Sequence, residues 1–184
     1  MSDGKRLFVG ARISVATANA LAGAAETLAR RAKDAGLDIR WIPPVSYHVT
    51  IRFLGWTRAE AIGAVRDALG DAAAGIPPFA FKTARLGAFP SLDRATTLWA
   101  GIGEGRGEGR GEGRGEARGK APLSELAARV EAACARLGYA AERRAFHPHV
   151  TLGRLREARA VREVVLPLSE QMFGDTSLDA ITLS

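Results

Sequence analysis

The chain has 184 residues, a formal net charge of +6, 47% hydrophobic residues and 25% charged residues. These values exclude a wholly disordered chain and allow one domain, or two small lobes that share a core. A single cysteine excludes a disulfide framework and a zinc site built from several cysteines. The positive excess is mostly arginine, which suits a phosphate-bearing ligand, although an arginine-rich solvated surface explains it equally well.

The hydrophobic pattern predicts a mixture of helices and strands. The predicted elements, in chain order, are a strand at 5–13, a helix at 15–35, an extended arm at 39–42, a strand at 47–54, a helix at 58–74, strands at 79–86 and 96–102, a helix at 122–137, a strand at 149–155, a short helix from about 160 and a strand at 177–183. Thr57 and Glu60 have the spacing of a capping box at the start of the second long helix. Few strands alternate strictly with helices, and this favours an α+β fold over a doubly wound sheet.

One low-complexity segment interrupts this pattern. Residues 103–119 read GEGRGEGRGEGRGEARG and hold eight of the 21 glycines, with four glutamates and four arginines that cancel in charge. Glycine-rich composition of this kind is typical of flexible linkers. We therefore predict a single domain over residues 1–184 with a flexible loop at 103–119.

The sequence does not predict a signal peptide or a membrane-spanning segment. The first apolar run is short and ends at Arg12, and the alanine-rich stretch at 15–29 contains Asn19 and Glu26. We expect a cytoplasmic protein that acts as a monomer.

A His-Val-Thr motif occurs twice, at 48–50 and at 149–151, and uses two of the three histidines. Each copy follows a helix, a glycine and an extended arm, so the repeat indicates two related lobes. In a strand, His48 and Thr50 share one face, and the second copy repeats this arrangement. A lone His-x-Thr is usually structural, whereas two matched copies predict a shared groove with two imidazoles and two hydroxyls.

These groups suit attack on a cyclic phosphodiester. An imidazole, with an ordinary pKa of about 6.5, can take a proton from water or give one to a departing ribose oxygen at neutral pH. The hydroxyls of Thr50 and Thr151 can donate to the non-bridging phosphate oxygens. Because a five-membered cyclic phosphate is strained, we expect no metal and no other cofactor.

At these residues the sequence resembles the two-histidine (2H) phosphoesterases, and more narrowly the RNA 2′,3′-cyclic phosphodiesterases, also called 2′-5′ RNA ligases. The likeness extends over about residues 5–183 and includes RWIPP at 40–44, IRFLG at 51–55 and FHPHVTLGR at 146–154. The resemblance implies a bilobal α+β fold of two antiparallel sheets, flanked by helices and related by a pseudo-twofold repeat, with the active site in a central groove.

The resemblance also implies an activity and residue roles. The activity is the metal-independent hydrolysis of RNA 2′,3′-cyclic phosphate ends to 2′-phosphates. By motif order, His48 is implied to be the proton donor to the leaving 3′-oxygen and His149 the proton acceptor that activates water. Thr50 and Thr151 are implied to bind the phosphate. The residues themselves do not distinguish the two histidines.

Three further residues are candidate substrate contacts. Strand alternation predicts that Arg52 shares the face of His48, where it either contacts phosphate or is solvated. The same alternation points Arg154 away from His149, although the resemblance includes this arginine. His147 would share the face of His149 if the strand began early, and we expect it to position or pack rather than to catalyse.

Other functions remain open from the sequence. The expected partner is an RNA with a 2′,3′-cyclic phosphate end or a small cyclic nucleotide, and the same site would suit 2′-5′ end joining. A non-catalytic RNA-end-binding module is the second class, and hydrolysis of a cyclic nucleotide would exclude it. A metal hydrolase that uses all three histidines is the third, and activity that survives EDTA would exclude it.

Overall fold

A computed structural model of the chain describes residues 3–104 and 121–184. The predicted loop at 103–119 lies outside the described residues, except that Gly103 and Glu104 end a strand. Within the described ranges, the strands are β1 (Gly4–Arg12), β2 (Ile39–Trp41), β3 (His48–Arg58), β4 (Phe79–Phe89), β5 (Ala95–Glu104), β6 (His149–Arg159), β7 (Met172–Leu178) and β8 (Thr182–Leu183). The α-helices in the same ranges are α1 (Val15–Asp34), α2 (Ile62–Ala73), α3 (Pro122–Arg136) and α4 (Arg162–Val165).

The predicted α+β fold class is confirmed. The strands pair antiparallel in the order β7-β4-β5-β6-β3-β1-β8, and β2 adds to the end of β6. The two predicted sheets are the two halves of this one sheet, because β3 and β6 are joined by the single pair Val49 and Val150. That pair lies between the two halves of the repeat.

The predicted capping box at Thr57 is wrong. β3 continues to Arg58 because it pairs with β1 over its whole length, and α2 begins at Ile62. Thr57 is buried, and its hydroxyl oxygen accepts a hydrogen bond of 3.2 Å from the Tyr139 hydroxyl. Strand pairing therefore outweighs the local capping signal.

A row of small apolar side chains crosses the middle of the sheet. Ala11 pairs with Val49, Val49 with Val150, and Val150 with Ala100, and all four residues are fully buried. Since successive strand residues point to opposite faces, burial of this row on one face directs its neighbours in β3 and β6 to the other. The positions of both histidine motifs follow from that register.

The helices cover the face on which this row is buried. α1 contacts β2, β7 and α4, whereas α3 contacts α2 and β3. Both α1 and α3 therefore pack against a strand of the opposite half of the repeat, and the buried residues form one core cluster. None of the described helices combines the length and apolar character needed to cross a membrane.

Arg52 connects β3 to α3 and to the arm that precedes β6. Its side chain is buried and forms an ion pair with Glu131 of α3. The guanidinium also donates hydrogen bonds to the backbone carbonyls of Phe53 and Ala140. Because the arm that begins near Ala140 leads to the second motif, this contact ties the two motif-bearing strands together.

We predict that Arg52→Met lowers the free energy of unfolding by about 3 kcal/mol, since it removes the buried guanidinium that pairs with the half-buried Glu131 carboxylate and donates to the Ala140 carbonyl. Urea denaturation measures this change. The matched control is Arg58→Met in the same strand, where an exposed pair with Glu60 at 4.0 Å should contribute less than about 1 kcal/mol. Equal losses in the two variants would contradict the role given to Arg52.

Candidate active site

The pair between Val49 and Val150 brings the two motifs side by side. In an antiparallel pair, the residue before one partner lies next to the residue after the other. His48 therefore lies toward Thr151, and His149 toward Thr50, on the face opposite the helices. All four side chains are half-buried, so they line a groove open to solvent.

Each motif histidine is held by the backbone two residues before it. His48 Nδ1 is 2.7 Å from the Ser46 carbonyl oxygen, and His149 Nδ1 is 2.7 Å from the His147 carbonyl oxygen. A carbonyl oxygen only accepts, so we assign the Nδ1 hydrogen to both rings. Each Nε2 is thereby left for exchange of a proton with a ligand.

Aromatic rings support the two imidazoles from opposite sides of the site. Phe8 of β1 stacks on His48, with ring centroids 4.6 Å apart and planes at 25°. Phe89 of β4 meets His149 edge-on, with centroids 5.0 Å apart and planes at 81°. The sequence suggested no role for these phenylalanines, because their place beside the motifs depends on which strands become neighbours.

The environment of His149 favours its neutral form. Burial lowers the pKa of His149 most, and the positive charges of His147, Arg154 and His48 lower it further. The hydrogen bond to the His147 carbonyl opposes this shift in the pKa and is outweighed. An imidazole with a lowered pKa is deprotonated at neutral pH and able to accept a proton.

Arg154 lies on the same face as His149. The prediction from strand alternation that its side chain points away from His149 is therefore wrong. Trp99 pairs with Thr151 and Thr97 pairs with Arg154, so β6 has one more residue than β5 between these pairs. This β-bulge reverses the alternation beyond Thr151. The Arg154 guanidinium donates a 3.4 Å hydrogen bond to the Thr97 hydroxyl.

Arg52 does not share the face of His48, contrary to the prediction. In β3, Gly10 pairs with Thr50 and Val9 pairs with Arg52, so a bulge reverses the alternation here too. Arg52 is directed to the helices and is occupied by Glu131. The exposed Phe53 stands in the position that Arg154 takes in β6.

His147 lies beside the site rather than on the strand face of His149. β6 begins at His149, and the His147 ring packs edge-on against Phe89 at 5.3 Å and Trp99 at 5.5 Å. Its carbonyl holds His149, and the centroids of the two imidazoles are 6.5 Å apart. These contacts fit the predicted positioning or packing role.

Comparison with known proteins gives a consistent result. A family model described as LigT like Phosphoesterase matches residues 15–99 and 116–179, which leaves most of the low-complexity segment unmatched. Several relatives carry the name RNA 2′,3′-cyclic phosphodiesterase, and two of them come from Aeropyrum pernix and Aquifex aeolicus. The one from Aeropyrum pernix is 29% identical over 151 residues, 81% of this chain and 74% of the relative. The one from Aquifex aeolicus is 29% identical over 164 residues, 86% of this chain and 79% of the relative.

The fold is also similar to solved structures. The protein TT0787 of Thermus thermophilus has a TM-score of 0.72 at 22% identity, covering 97% of this chain and 87% of that one. E. coli LigT complexed with 3′-AMP has a TM-score of 0.62 at 23% identity, covering 98% and 87%. At these identities the likeness concerns the fold.

We predict that Arg154→Met raises the pKa of His149, because a positive charge that disfavours the imidazolium is removed. NMR titration of the imidazole C–H resonances measures the pKa directly. The control is Arg159→Met, which removes an equal charge from the far end of β6. A His149 pKa that stays constant or falls in Arg154→Met would contradict the electrostatic coupling.

Proposed function

Because the chain belongs to the LigT-like phosphoesterase family, we propose that it hydrolyses the 2′,3′-cyclic phosphate at the end of an RNA to a 2′-phosphate. The names of its relatives support hydrolysis of a cyclic phosphodiester. The observation that carries the proposal is the paired arrangement of two imidazoles, each anchored through Nδ1, across the bridge between Val49 and Val150.

The proposed reaction is a single in-line displacement. His149 Nε2 takes a proton from water, and the water oxygen bonds to phosphorus. The bond between phosphorus and the ribose 3′-oxygen breaks on the opposite side, and His48 Nε2 gives its proton to that oxygen. The product is a 2′-phosphate beside a free 3′-hydroxyl. His149 ends protonated and His48 neutral, so a proton exchange with solvent restores both.

The proposal gives the two histidines different roles because their surroundings differ. An acceptor must be neutral before the reaction, and burial beside positive charges lowers the pKa of His149 in that direction. In the proposal, His48, on the other strand of the bridge, is the group that reaches the leaving oxygen. This agrees with the roles implied by motif order.

The remaining groups bind the phosphate in this proposal. The hydroxyls of Thr50 and Thr151 donate to the two non-bridging oxygens and hold phosphorus between the imidazoles. Arg154 faces the same space and offsets the negative charge that grows in the transition state. The cyclic ring supplies strain of its own, so we propose that the reaction proceeds without a metal ion.

End joining is the second candidate reaction, and the same geometry favours it. A 5′-hydroxyl of a second RNA would replace water beside His149, and the product would be a 2′-5′ phosphodiester. Water is present at far higher concentration than RNA ends, so hydrolysis is expected to dominate. Product analysis separates the two, because joining lengthens the RNA and hydrolysis does not.

We predict that an oligonucleotide with a 2′,3′-cyclic phosphate end is converted to the 2′-phosphate, and that the reaction persists in EDTA. His48→Ala and His149→Ala should each lower turnover by about 10²–10⁴-fold, the usual contribution of a general acid or base. Separation of 2′- and 3′-phosphate products by chromatography gives both the rate and the regiochemistry.

The matched comparison is His147→Gln, which keeps the backbone carbonyl that holds His149. The turnover of this variant should fall by less than about tenfold, since the His147 ring takes no part in the proposed proton transfers. Thermal unfolding verifies that each variant is folded. Near-wild-type turnover in either alanine variant, or abolition of activity by EDTA, would refute the mechanism.

A further inference from the structure

The proposed mechanism gives the bound RNA a direction. Attack is in line, so water approaches from the His149 side and the leaving ribose oxygen lies on the His48 side. That ribose carries the rest of the RNA through its 5′-oxygen. The RNA chain must therefore extend over the half of the sheet that contains β1 and β3.

Arg12 occupies a distinctive place on this half. It is the last residue of β1 and the cross-strand partner of His48, so their side chains share one face at neighbouring positions. Arg12 is exposed, and its side chain has no hydrogen bond or ion pair to any described residue. The corresponding partner of His149 is Gly101, which has no side chain. Of these two cross-strand positions, only the one on the leaving-group side thus carries a cation.

A small cleft lined by both polar and apolar residues begins at Arg12. It has a volume of about 220 Å³ and lies between the end of β1 and the connection from β7 to β8. Its polar lining comprises Arg12, Ser14, Thr176, Ser177, Asp179 and Thr182. Sites for whole small molecules have volumes of about 300–1,000 Å³. This cleft therefore suits one backbone phosphate and part of its sugar rather than a complete nucleotide.

The cleft is held in shape by hydrogen bonds within the chain. The Ser14 amide donates to the Thr176 hydroxyl oxygen at 3.0 Å, and the Thr182 hydroxyl donates to the Gly10 carbonyl at 3.3 Å. The Thr182 hydroxyl therefore uses its donor within the protein. Arg12 is the one basic side chain and Asp179 the one acidic side chain among the described residues that line the cleft, so any attraction for an anion comes from the Arg12 end, next to His48.

We propose that Arg12 binds the phosphodiester that joins the terminal cyclic nucleotide to the nucleotide before it. This inference rests on the proposed function and deepens it, because it identifies an RNA oligonucleotide, rather than a cyclic mononucleotide, as the preferred substrate. The guanidinium makes charge-assisted contacts to the backbone phosphate. A phosphate contact reads no base, so the preference is for chain length and not for sequence.

The test compares Arg12→Met on two substrates that differ by this phosphate. One is a short RNA with a 2′,3′-cyclic phosphate end, and the other is a nucleoside 2′,3′-cyclic monophosphate. For the RNA, kcat/KM should fall roughly tenfold. This corresponds to the lower end of what a hydrogen bond to a charged group contributes, because Arg12 is exposed. For the monophosphate, kcat/KM should remain at the wild-type value.

Salt dependence provides a second measurement. Loss of one phosphate contact to a single strand should reduce the slope of log kcat/KM against log salt by about 0.7 for the RNA. The matched control is Arg6→Met, which removes the same charge from an exposed position near the other end of β1. This control should retain both the RNA rate and the salt slope.

Each alternative result has a distinct meaning. An equal fall on both substrates would place Arg12 at the reacting phosphate and overturn the inference. Unchanged rates on both substrates, or an equal fall on RNA in the Arg6 control, would also overturn it while leaving the proposed function intact. Failure of the wild-type protein to hydrolyse either substrate would overturn the proposed function, and the inference with it.

Discussion

A single antiparallel pair, Val49 with Val150, joins the two halves of the sheet, and the geometry of the site depends on it. Both valines are fully buried against the helices, as are Ala11 and Ala100 beside them. Because strand residues alternate between faces, burial of this row directs both His-x-Thr motifs into the opposite groove. A slip of one residue in either strand would bury an imidazole and expose a valine. The apolar row therefore fixes the register through the same burial that stabilises the core.

The repeat gives the two histidine motifs a common arrangement, but the residues around the two histidines differ. Both rings are anchored through Nδ1 to the carbonyl two residues before them. Their neighbours are unlike, because Arg154 faces His149 from the bulge in β6 whereas Phe53 takes the equivalent place in β3. Burial and the nearby charges lower the pKa of His149 and favour the neutral form that an acceptor requires. These differences in surroundings are the basis on which we propose different roles for the two histidines.

Three arginines on the strands of the sheet have three different surroundings. Arg52 is buried, pairs with Glu131 of α3, and donates a hydrogen bond to the Ala140 carbonyl in the arm that precedes the second motif. Arg154 faces the groove on the same side of the sheet as His149. Arg12 lies at the edge of the groove, without an ion pair to any described residue, and is available to a more distant phosphate. Burial and strand register decide which of these cations serve folding and which can serve a ligand, and the net charge of the chain does not distinguish them.

The sequence by itself determined the α+β class, the two motifs and their alternating faces, since helix and strand periodicity and the repeat are local features. It also identified the glycine-rich segment as separate from the motifs. The tertiary structure alone decided the faces of Arg52 and Arg154, because a β-bulge depends on pairing with a neighbouring strand and reverses the alternation after it. It alone placed Phe8, Phe89 and Arg12 beside the histidines. Contacts between strands distant in the chain depend on sheet order, and a single sequence contains no local signal for that order.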